Sequence, residues 1–343
     1  MAAVLRLNRA TRAVLALVVS ALCLWYIVSR IDFGTTVYVL SRSNLWDVAA
    51  AFAILVLALV PLSWRWQRLL LARGISERLG WLLRAYFVSY TASQVLPTSL
   101  GGDAMRIVET SRRHPGEGGE IAGTVILERG LGGVATLLLG LVGFAIAIGR
   151  LSIGAYVVLE GAIAAATVLL VALVFSRRAR RVLRRLERPF ARFRITGQVK
   201  RIYLSLHAYG RDPRLVAELL ALTVAVQAFR ILTIWLCGLA VGVHESPLPY
   251  FVMGPMFFLV MLAPFTLNGF ALREAFFVSF LGQLGVSADR AFSTGFLYFL
   301  LAVALSVPGA AIWTVENVRA LAGTARNRDK PGPEPRSGEG ALD

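Results

Sequence analysis

Apolar segments long enough to cross a lipid bilayer recur along this chain, and they constrain its fold more than any other feature. An α-helix needs about 20 mostly apolar residues to span the hydrocarbon core, and 57% of the 343 residues are hydrophobic. Because backbone polar groups in lipid must be hydrogen-bonded internally, these segments predict an all-α polytopic membrane protein. The candidate spans are residues 13–29, 45–63, 121–148, 153–175, 215–241 and 291–313.

The formal net charge of +16 is interpreted as a topology signal and not as a sign of nucleic-acid binding. Most of the 36 Lys and Arg residues fall on one side when the spans are counted, and the insert 176–214 is the most basic part. By the positive-inside rule, this asymmetry predicts a multi-pass protein of a bacterial-type inner membrane with both termini in the cytoplasm. The few basic residues on the other side are Arg30, Arg42, Arg150 and Arg290.

The basic insert has two compatible interpretations. It is a loop that fixes the topology, or an interfacial amphipathic helix that attracts anionic lipid headgroups. No nucleic-acid motif accompanies its charge, so nucleic acid is not an expected partner.

A ten-residue pattern occurs twice, as PTSLGGDAMR at 97–106 and PFTLNGFALR at 264–273. Each copy interrupts a short apolar segment and ends in an arginine, a residue that hydrocarbon disfavours. Paired segments interrupted by Gly or Pro, in corresponding parts of two halves, point to the substrate site of a transporter. The residues that the copies share at equal spacing include Pro97, Gly102 and Arg106 in the first and Pro264, Gly269 and Arg273 in the second.

Each copy is predicted to lie in a re-entrant hairpin, 85–113 or 250–284, because a limb as charged as 101–113 could hardly cross lipid unaided. Each half then has the order span, span, hairpin, span. Three full spans per half would orient the halves oppositely, so we predict about six full spans plus two re-entrant hairpins in two inverted-topology repeats. The boundaries are 1–150 and 151–320 for the two halves, and 321–343 for a disordered cytoplasmic tail rich in Gly, Pro and charge.

Four segments carry a resemblance to a known family: RWQRLLLARGI at 65–75, QVLPTSLGGDAMRIVE at 94–109, LERGLGG at 127–133 and GFALREAFF at 269–277. With them the chain resembles the lysylphosphatidylglycerol synthase transmembrane (flippase-like) domain family, up to about residue 320. The resemblance implies movement of lipids or lipid-linked molecules between leaflets. The best-known members flip aminoacylated phosphatidylglycerol and carry a cytosolic synthase domain after the membrane part. The sequence holds no such domain, so only the translocation role is expected here.

The first hairpin contains a candidate headgroup site. Asp103 and Arg106 are three residues apart and share one face of a helix. Gly101 and Gly102 would expose backbone N–H groups at the start of that helix, which is a ready anion site, and Arg106 would clamp a phosphate bidentately. In the alternative interpretation, Asp103 caps the helix while Arg106 pairs with it or faces the cytoplasm.

The second hairpin contains the matching candidates. Arg273 corresponds to Arg106 and is expected to contact the headgroup, with Gly269 before it and Glu274 after it. Glu274 would hold Arg273 in place or bind a coupling proton. The alternative is a structural ion pair that locks the hairpins together.

Other polar residues within apolar segments are expected to line a cavity or to hold helices together. One of Glu128 and Arg129 is expected to meet Asp103 or Arg106, because neighbours in sequence diverge by about 100° around a helix. The full set is Glu128, Arg129, Gln227 and Arg230, with Pro97 and Pro264 at the hairpin breaks.

Three tryptophans and both cysteines have simpler interpretations. Trp64, Trp66 and Trp81 flank span ends and are interpreted as interfacial residues. Cys23 and Cys237 each lie in an apolar span and are expected to be buried free thiols. No metal, cofactor or catalytic motif is predicted.

The sequence therefore predicts a lipid translocase, not an enzyme, that holds an anionic or polyprenyl-linked headgroup near Arg106 and Arg273. Asp103 and Glu274 are candidates for proton coupling, and a lipid-modifying enzyme is a candidate partner. Two other functions stay open, a secondary transporter of a small polar solute and an accessory protein or enzyme of polyprenyl-linked glycan synthesis. The enzyme would use Asp103 with Glu109 as its carboxylate pair.

Overall fold

The protein is described by a computed structural model, which covers residues 32–95, 101–147, 158, 161–162, 165, 209, 212–261 and 271–328. The elements within these ranges are helices, as predicted, and no strand occurs among them. In chain order they are α1 (Phe33–Ser41), α2 (Leu45–Leu57), α3 (Leu59–Leu71), α4 (Leu79–Val95), α5 (Gly101–Arg113), α6 (Gly118–Ala147), α7 (Pro213–Ala240), α8 (Leu248–Val260), α9 (Leu272–Gly282) and α10 (Ala288–Arg328).

In the described part of the chain, four helical segments are long and apolar enough to cross a membrane. They correspond to four of the predicted spans and confirm the multi-pass helical class. The segments are Leu45–Leu71, in which α2 and α3 are nearly continuous, Gly118–Ile146, Pro213–Ala240 and Ala288–Glu316.

Several predictions concern other parts of the chain. The spans 13–29 and 153–175, most of the insert 176–214, Cys23 and the hairpin residues Pro97, Pro264 and Gly269 lie outside the described residues, apart from isolated positions. Helix α10 continues to Arg328, so the first part of the segment predicted to be a disordered tail is helical.

Side-chain caps and a loop glycine explain where helices begin and end. Asn44 accepts a hydrogen bond from Trp46 N at 3.0 Å at the start of α2, and Asp212 accepts one from Leu215 N at 3.0 Å at the start of α7. Each cap satisfies an N–H group that the first helical turn leaves without a partner. After α3, Gly74 has φ of 80°, a left-handed conformation that glycine adopts without strain.

Ion pairs near one end of the bundle show which helix ends lie together there. Arg73 pairs with Glu120 at 3.8 Å, so α3 finishes close to where α6 begins. Arg68 pairs with Glu218 at 3.3 Å, so α7 begins in the same region. We call this end A.

The opposite end, end B, is identified by two contacts to backbone carbonyls. Asn44 N donates to Ala240 O at 2.8 Å, which joins the start of α2 to the end of α7. Arg290, in the first turn of α10, donates to Gly242 O at 3.1 Å. Therefore α2–α3 and α10 run from end B to end A, and α7 runs from end A to end B.

The two helical hairpins open at opposite ends, as the sequence predicted. Hairpin 1 (α4 and α5) opens at end A, because Glu77 before α4 is bonded to Arg113 at the end of α5, with an Nε–Oε1 distance of 2.6 Å. Hairpin 2 (α8 and α9) opens at end B, because residues 241–247 lead into it from α7 and residues 283–287 lead out to α10. The inverted relation between complete halves stays a prediction.

Glycines allow close helix packing in both hairpins. A Cβ atom at Gly102 would lie 2.6 Å from Ser89 Oγ and would also overlap Ser89 O, so α4 and α5 cross at this point. A Cβ atom at Gly295 of α10 would lie 3.0 Å from the ring of Phe277 in α9. Interiors are packed too densely to absorb the overlap at Gly102 without movement, so that position requires a residue without a side chain, whereas a Cβ at Gly295 would only be a tight contact.

Candidate functional site

Five charged side chains from α3, α5 and α6 form a continuous network, which we call the first charge cluster: Arg65, Asp103, Arg106, Glu128 and Arg129. Glu128 Oε1 accepts from Arg65 Nε at 3.2 Å and Nη2 at 3.1 Å, and Glu128 Oε2 accepts from Arg106 Nη1 at 2.9 Å. Arg106 Nη2 donates to Asp103 Oδ1 at 2.8 Å, and Arg129 donates to Asp103 Oδ2. Cationic and anionic groups alternate along the network.

Solvent exposure rises from one side of the cluster to the other. Arg65, Arg106 and Glu128 are buried, whereas the side chain of Asp103 is 15% exposed and that of Arg129 is 41% exposed. The first charge cluster therefore has a closed side at Arg65 and an accessible side at Arg129.

Two aromatic rings enclose the guanidinium of Arg106. Its Cζ atom lies 4.6 Å from the ring centroid of Trp66 and 4.3 Å from that of Tyr86, which are cation–π distances. Tyr86 also donates to Glu128 Oε1 at 2.9 Å. Trp66 is fully buried and donates to Thr124 at 3.0 Å, so its interpretation as an interfacial residue was wrong.

Asp103 and Arg106 are paired, an arrangement that the sequence offered only as the alternative to a phosphate clamp. Arg106 is 4% exposed and bonds two carboxylates, so a phosphate would have to displace one of them. Its Nε atom is buried without a hydrogen-bond partner in the described part of the structure, which leaves one donor unused. Gly101 and Gly102 are also buried, and Gly102 serves the helix crossing described above.

The structure brings both Glu128 and Arg129 to hairpin 1, where the sequence predicted only one of them. The divergence of neighbouring residues sends Glu128 toward the buried Arg106 and Arg129 toward the outer oxygen of Asp103. Glu128 lies about 15 Å along the axis from Gly118, where α6 begins. Ionised side chains at such positions cost about 2.5–3.5 kcal/mol each on insertion scales, which explains why they are paired.

A second charge cluster, Arg273 and Glu274, lies at the start of α9. Arg273 Nε donates to Glu274 Oε1 at 2.9 Å, both side chains are buried, and Arg273 Cζ lies 4.4 Å from the ring centroid of Phe299. Glu274 Oε2 is buried with no hydrogen-bond partner in the ranges that the structure covers. Ala271 precedes this pair with φ of 64°, a left-handed conformation that costs a residue with a side chain about 1–2 kcal/mol.

The pair predicted in the fifth full span joins α7 to its neighbours. Arg230 donates to Gln227 at 3.1 Å, and Gln227 donates to Thr136 of α6 at 2.8 Å. Arg230 also lies over the ring of Phe258 in α8, 4.8 Å from the centroid. These contacts are those of residues that hold helices together. In the same helix, Cys237 is a buried free thiol, as predicted.

The structure does not bring Asp103 and Glu109 to a common partner. Glu109 pairs with Arg84 at 2.8 Å, whereas Asp103 pairs with Arg106 and Arg129. Among the described residues there is no group of three or more side chains that could hold a metal ion.

Arg65 is the main functional candidate that the sequence interpretation missed. Besides Glu128 it bonds Thr223 of α7 at 2.8 Å, so it links three helices. The predicted span ended at residue 63, just before it. Extending that apolar segment to Leu71 would have counted Arg65 among the charges within spans.

A comparison with protein-family models decides the family. The model described as the lysylphosphatidylglycerol synthase TM region matches residues 13–309. The chain belongs to this family. Both charge clusters lie within the matched part of this lysylphosphatidylglycerol synthase TM-family protein. No curated protein matches the chain in a sequence comparison.

Proposed function

We propose that the chain is a lipid translocase that moves a phospholipid or a lipid-linked headgroup between the leaflets of an inner membrane. The observation that carries this proposal is the first charge cluster, which α5 forms with two helices apolar enough to cross a membrane and which is most accessible at its Arg129 side. Charged side chains inside membrane proteins commonly mark the path of a polar substrate. Membership of the lysylphosphatidylglycerol synthase TM family supports a lipid as that substrate.

Helix packing alone does not explain the cluster. Replacing a buried ion pair by apolar residues of similar volume is often neutral or stabilising, so a membrane bundle does not need such groups for stability. The two arginines around Asp103 also have a specific arrangement, because one is enclosed by aromatic rings and the other is accessible. This arrangement suits a site that exchanges a carboxylate partner for a phosphate.

In the proposed mechanism, a headgroup phosphate first replaces Asp103 as the partner of the accessible Arg129. The unused Nε donor of Arg106 is then available to the phosphate when hairpin 1 moves away from α6. Arg273 of hairpin 2 plays the corresponding part from end B, with Glu274 as the carboxylate that is displaced. Acyl chains remain in the bilayer throughout. In this proposal end A faces the cytoplasm, and the positive-inside rule supports that orientation.

The proposal is tested by a leaflet assay in proteoliposomes that contain fluorescent phosphatidylglycerol. We expect Arg106→Gln, Arg129→Gln and Arg273→Gln each to slow lipid movement by tenfold or more. This factor corresponds to the free energy of about one charge-assisted hydrogen bond. Arg68→Gln is the matched control, because its ion pair at end A is exposed. Thermal unfolding of each variant in detergent separates a lost site from a lost fold. Equal rates in folded Arg106, Arg129 and Arg273 variants and in the wild type would refute the assignment.

A further inference from the structure

A cavity of about 450 Å³ opens at end B, and none of its lining residues belongs to either charge cluster. The α1–α2 connection, the end of α7 and the start of α10 form its walls. Its polar lining comes from Tyr38, Arg42, Asn44, Asp47, His244 and Arg290. Two of the few basic residues that the sequence assigns to this side of the membrane therefore share one cavity.

Among the described residues, no carboxylate pairs with either arginine of the cavity. Arg42 lies over the ring of Tyr38, with Cζ 5.5 Å from the centroid, and no ion pair to a described residue engages it. Arg290 donates to Gly242 O at 3.1 Å. By contrast, the end A arginines Arg68 and Arg73 pair with carboxylates.

The position of Arg290 is unfavourable for the helix that carries it. A cation in the first turn of a helix is disfavoured by the helix dipole, yet Arg290 occupies the first turn of α10. Gly242 leaves room for the guanidinium, since a Cβ atom there would lie 3.7 Å from Arg290 Cζ. The bond to Gly242 O thus holds the arginine at the cavity, in a turn that also contains Asp289.

The charge balance of the lining indicates the class of ligand. Asp47 is the one carboxylate among the described lining residues, so Arg42, Arg290 and Asp47 together carry a single excess positive charge. Trp46, next to Asp47, is 85% exposed, and exposed tryptophans on apolar helices lie at the level of lipid headgroups. A singly charged anion at the level of the headgroups would match both the excess positive charge of the lining and the position of Trp46.

We propose that this cavity binds a phosphodiester monoanion through Arg42 and Arg290. The group comes either from a lipid headgroup at the membrane surface or from a soluble phosphodiester. The site has no residue in common with the charge clusters and does not depend on the proposed translocation.

Calorimetric titration of the full chain in maltoside micelles, which contain no phosphate, tests the proposal with glycerophosphoglycerol as the soluble probe. We expect Arg42→Gln and Arg290→Gln each to weaken binding about tenfold or more, the effect of losing a charge-assisted hydrogen bond. Arg78→Gln, an exposed arginine at end A, is the matched control and should bind like the wild type.

Asp47→Asn distinguishes a change in the charge of the cavity from misfolding. It removes the only negative charge among the described lining residues, so it should tighten binding several-fold. Damage to the fold would not produce a gain. Adding phosphatidylglycerol to the micelles then distinguishes the sources: competition identifies a lipid headgroup, and its absence identifies a soluble ligand. Equal affinity of the wild type and the Arg42→Gln/Arg290→Gln double variant, no binding at millimolar probe, or weaker binding by Asp47→Asn would overturn the proposal.

Discussion

Glu128 holds the buried side of the first charge cluster together, so replacing it should destabilise the protein far more than the loss of an exposed carboxylate. Its two oxygens accept four hydrogen bonds, from Arg65, Tyr86 and Arg106. In Glu128→Gln the amide oxygen keeps some of them, but the charge is lost. Asp103 then remains as the only carboxylate for the three arginines of the cluster.

The expected cost follows from the burial of the three groups. Arg65, Arg106 and Glu128 are each less than a tenth exposed, and breaking a buried ion pair by removing one partner costs about 3–5 kcal/mol. The matched control is Glu218→Gln, whose pair with Arg68 joins side chains that are 43% and 47% exposed. An exposed pair of this kind contributes at most about 1 kcal/mol.

The free energy of unfolding is measured in mixed micelles of maltoside and increasing dodecyl sulfate, with tryptophan fluorescence as the signal. We expect Glu128→Gln to lose about 3–5 kcal/mol and Glu218→Gln at most about 1 kcal/mol. Losses of equal size in both variants would refute the argument, because they would mean that water reaches Arg65 and Arg106 as freely as it reaches Arg68.

Three further perturbations test other parts of the structure. Gly102→Ala should lower the free energy of unfolding by about 1–3 kcal/mol, because its Cβ would overlap the facing helix. Gly130→Ala is the control and should cause no loss, because there is open space around Gly130. Both free energies are measured in the same mixed micelles. Burial alone would raise the pKa of the Glu77 carboxyl, but hydrogen bonds from Arg113 and the adjacent histidine hold it below its usual range. Glu77 therefore stabilises the fold above its unfolded pKa of about 4.3, and the thermal-stability advantage of the wild type over Glu77→Gln should disappear as pH falls through the lower folded pKa. Trp66→Phe should cost about 1–3 kcal/mol in thermal unfolding, because it removes a buried hydrogen bond to α6; an unchanged midpoint would contradict the buried placement.

Features that depend on neighbours in sequence were predictable. Apolar length located the described spans to within a few residues, apart from the extension of the second span to Leu71. The three-residue spacing of Asp103 and Arg106 predicted that they share one face of a helix, because it depends only on helical geometry, and their ion pair agrees with this. The opposite directions of the hairpins followed from counting spans.

Features that depend on contacts between distant helices were not predictable. Arg65 meets Glu128 across 63 positions of sequence, and neither residue indicates the other before the helices are packed. The role of Gly102 was not predictable for the same reason. Its sequence context suggested an exposed N–H group for an anion. In the structure a glycine is required there because the carbonyl of Ser89, in another helix, lies too close for a side chain.

Helix α10 is in contact with both hairpins, through positions that both precede Pro308. Near end A, Thr91 of hairpin 1 donates to Ser306 O at 2.6 Å, and toward end B Gly295 packs on Phe277 of hairpin 2. Pro308 interrupts the hydrogen-bond ladder of α10 close to the first contact, so bending is easiest there. Because one helix carries both contacts, a displacement of hairpin 1 that moves α10 also shifts the surface on which hairpin 2 packs.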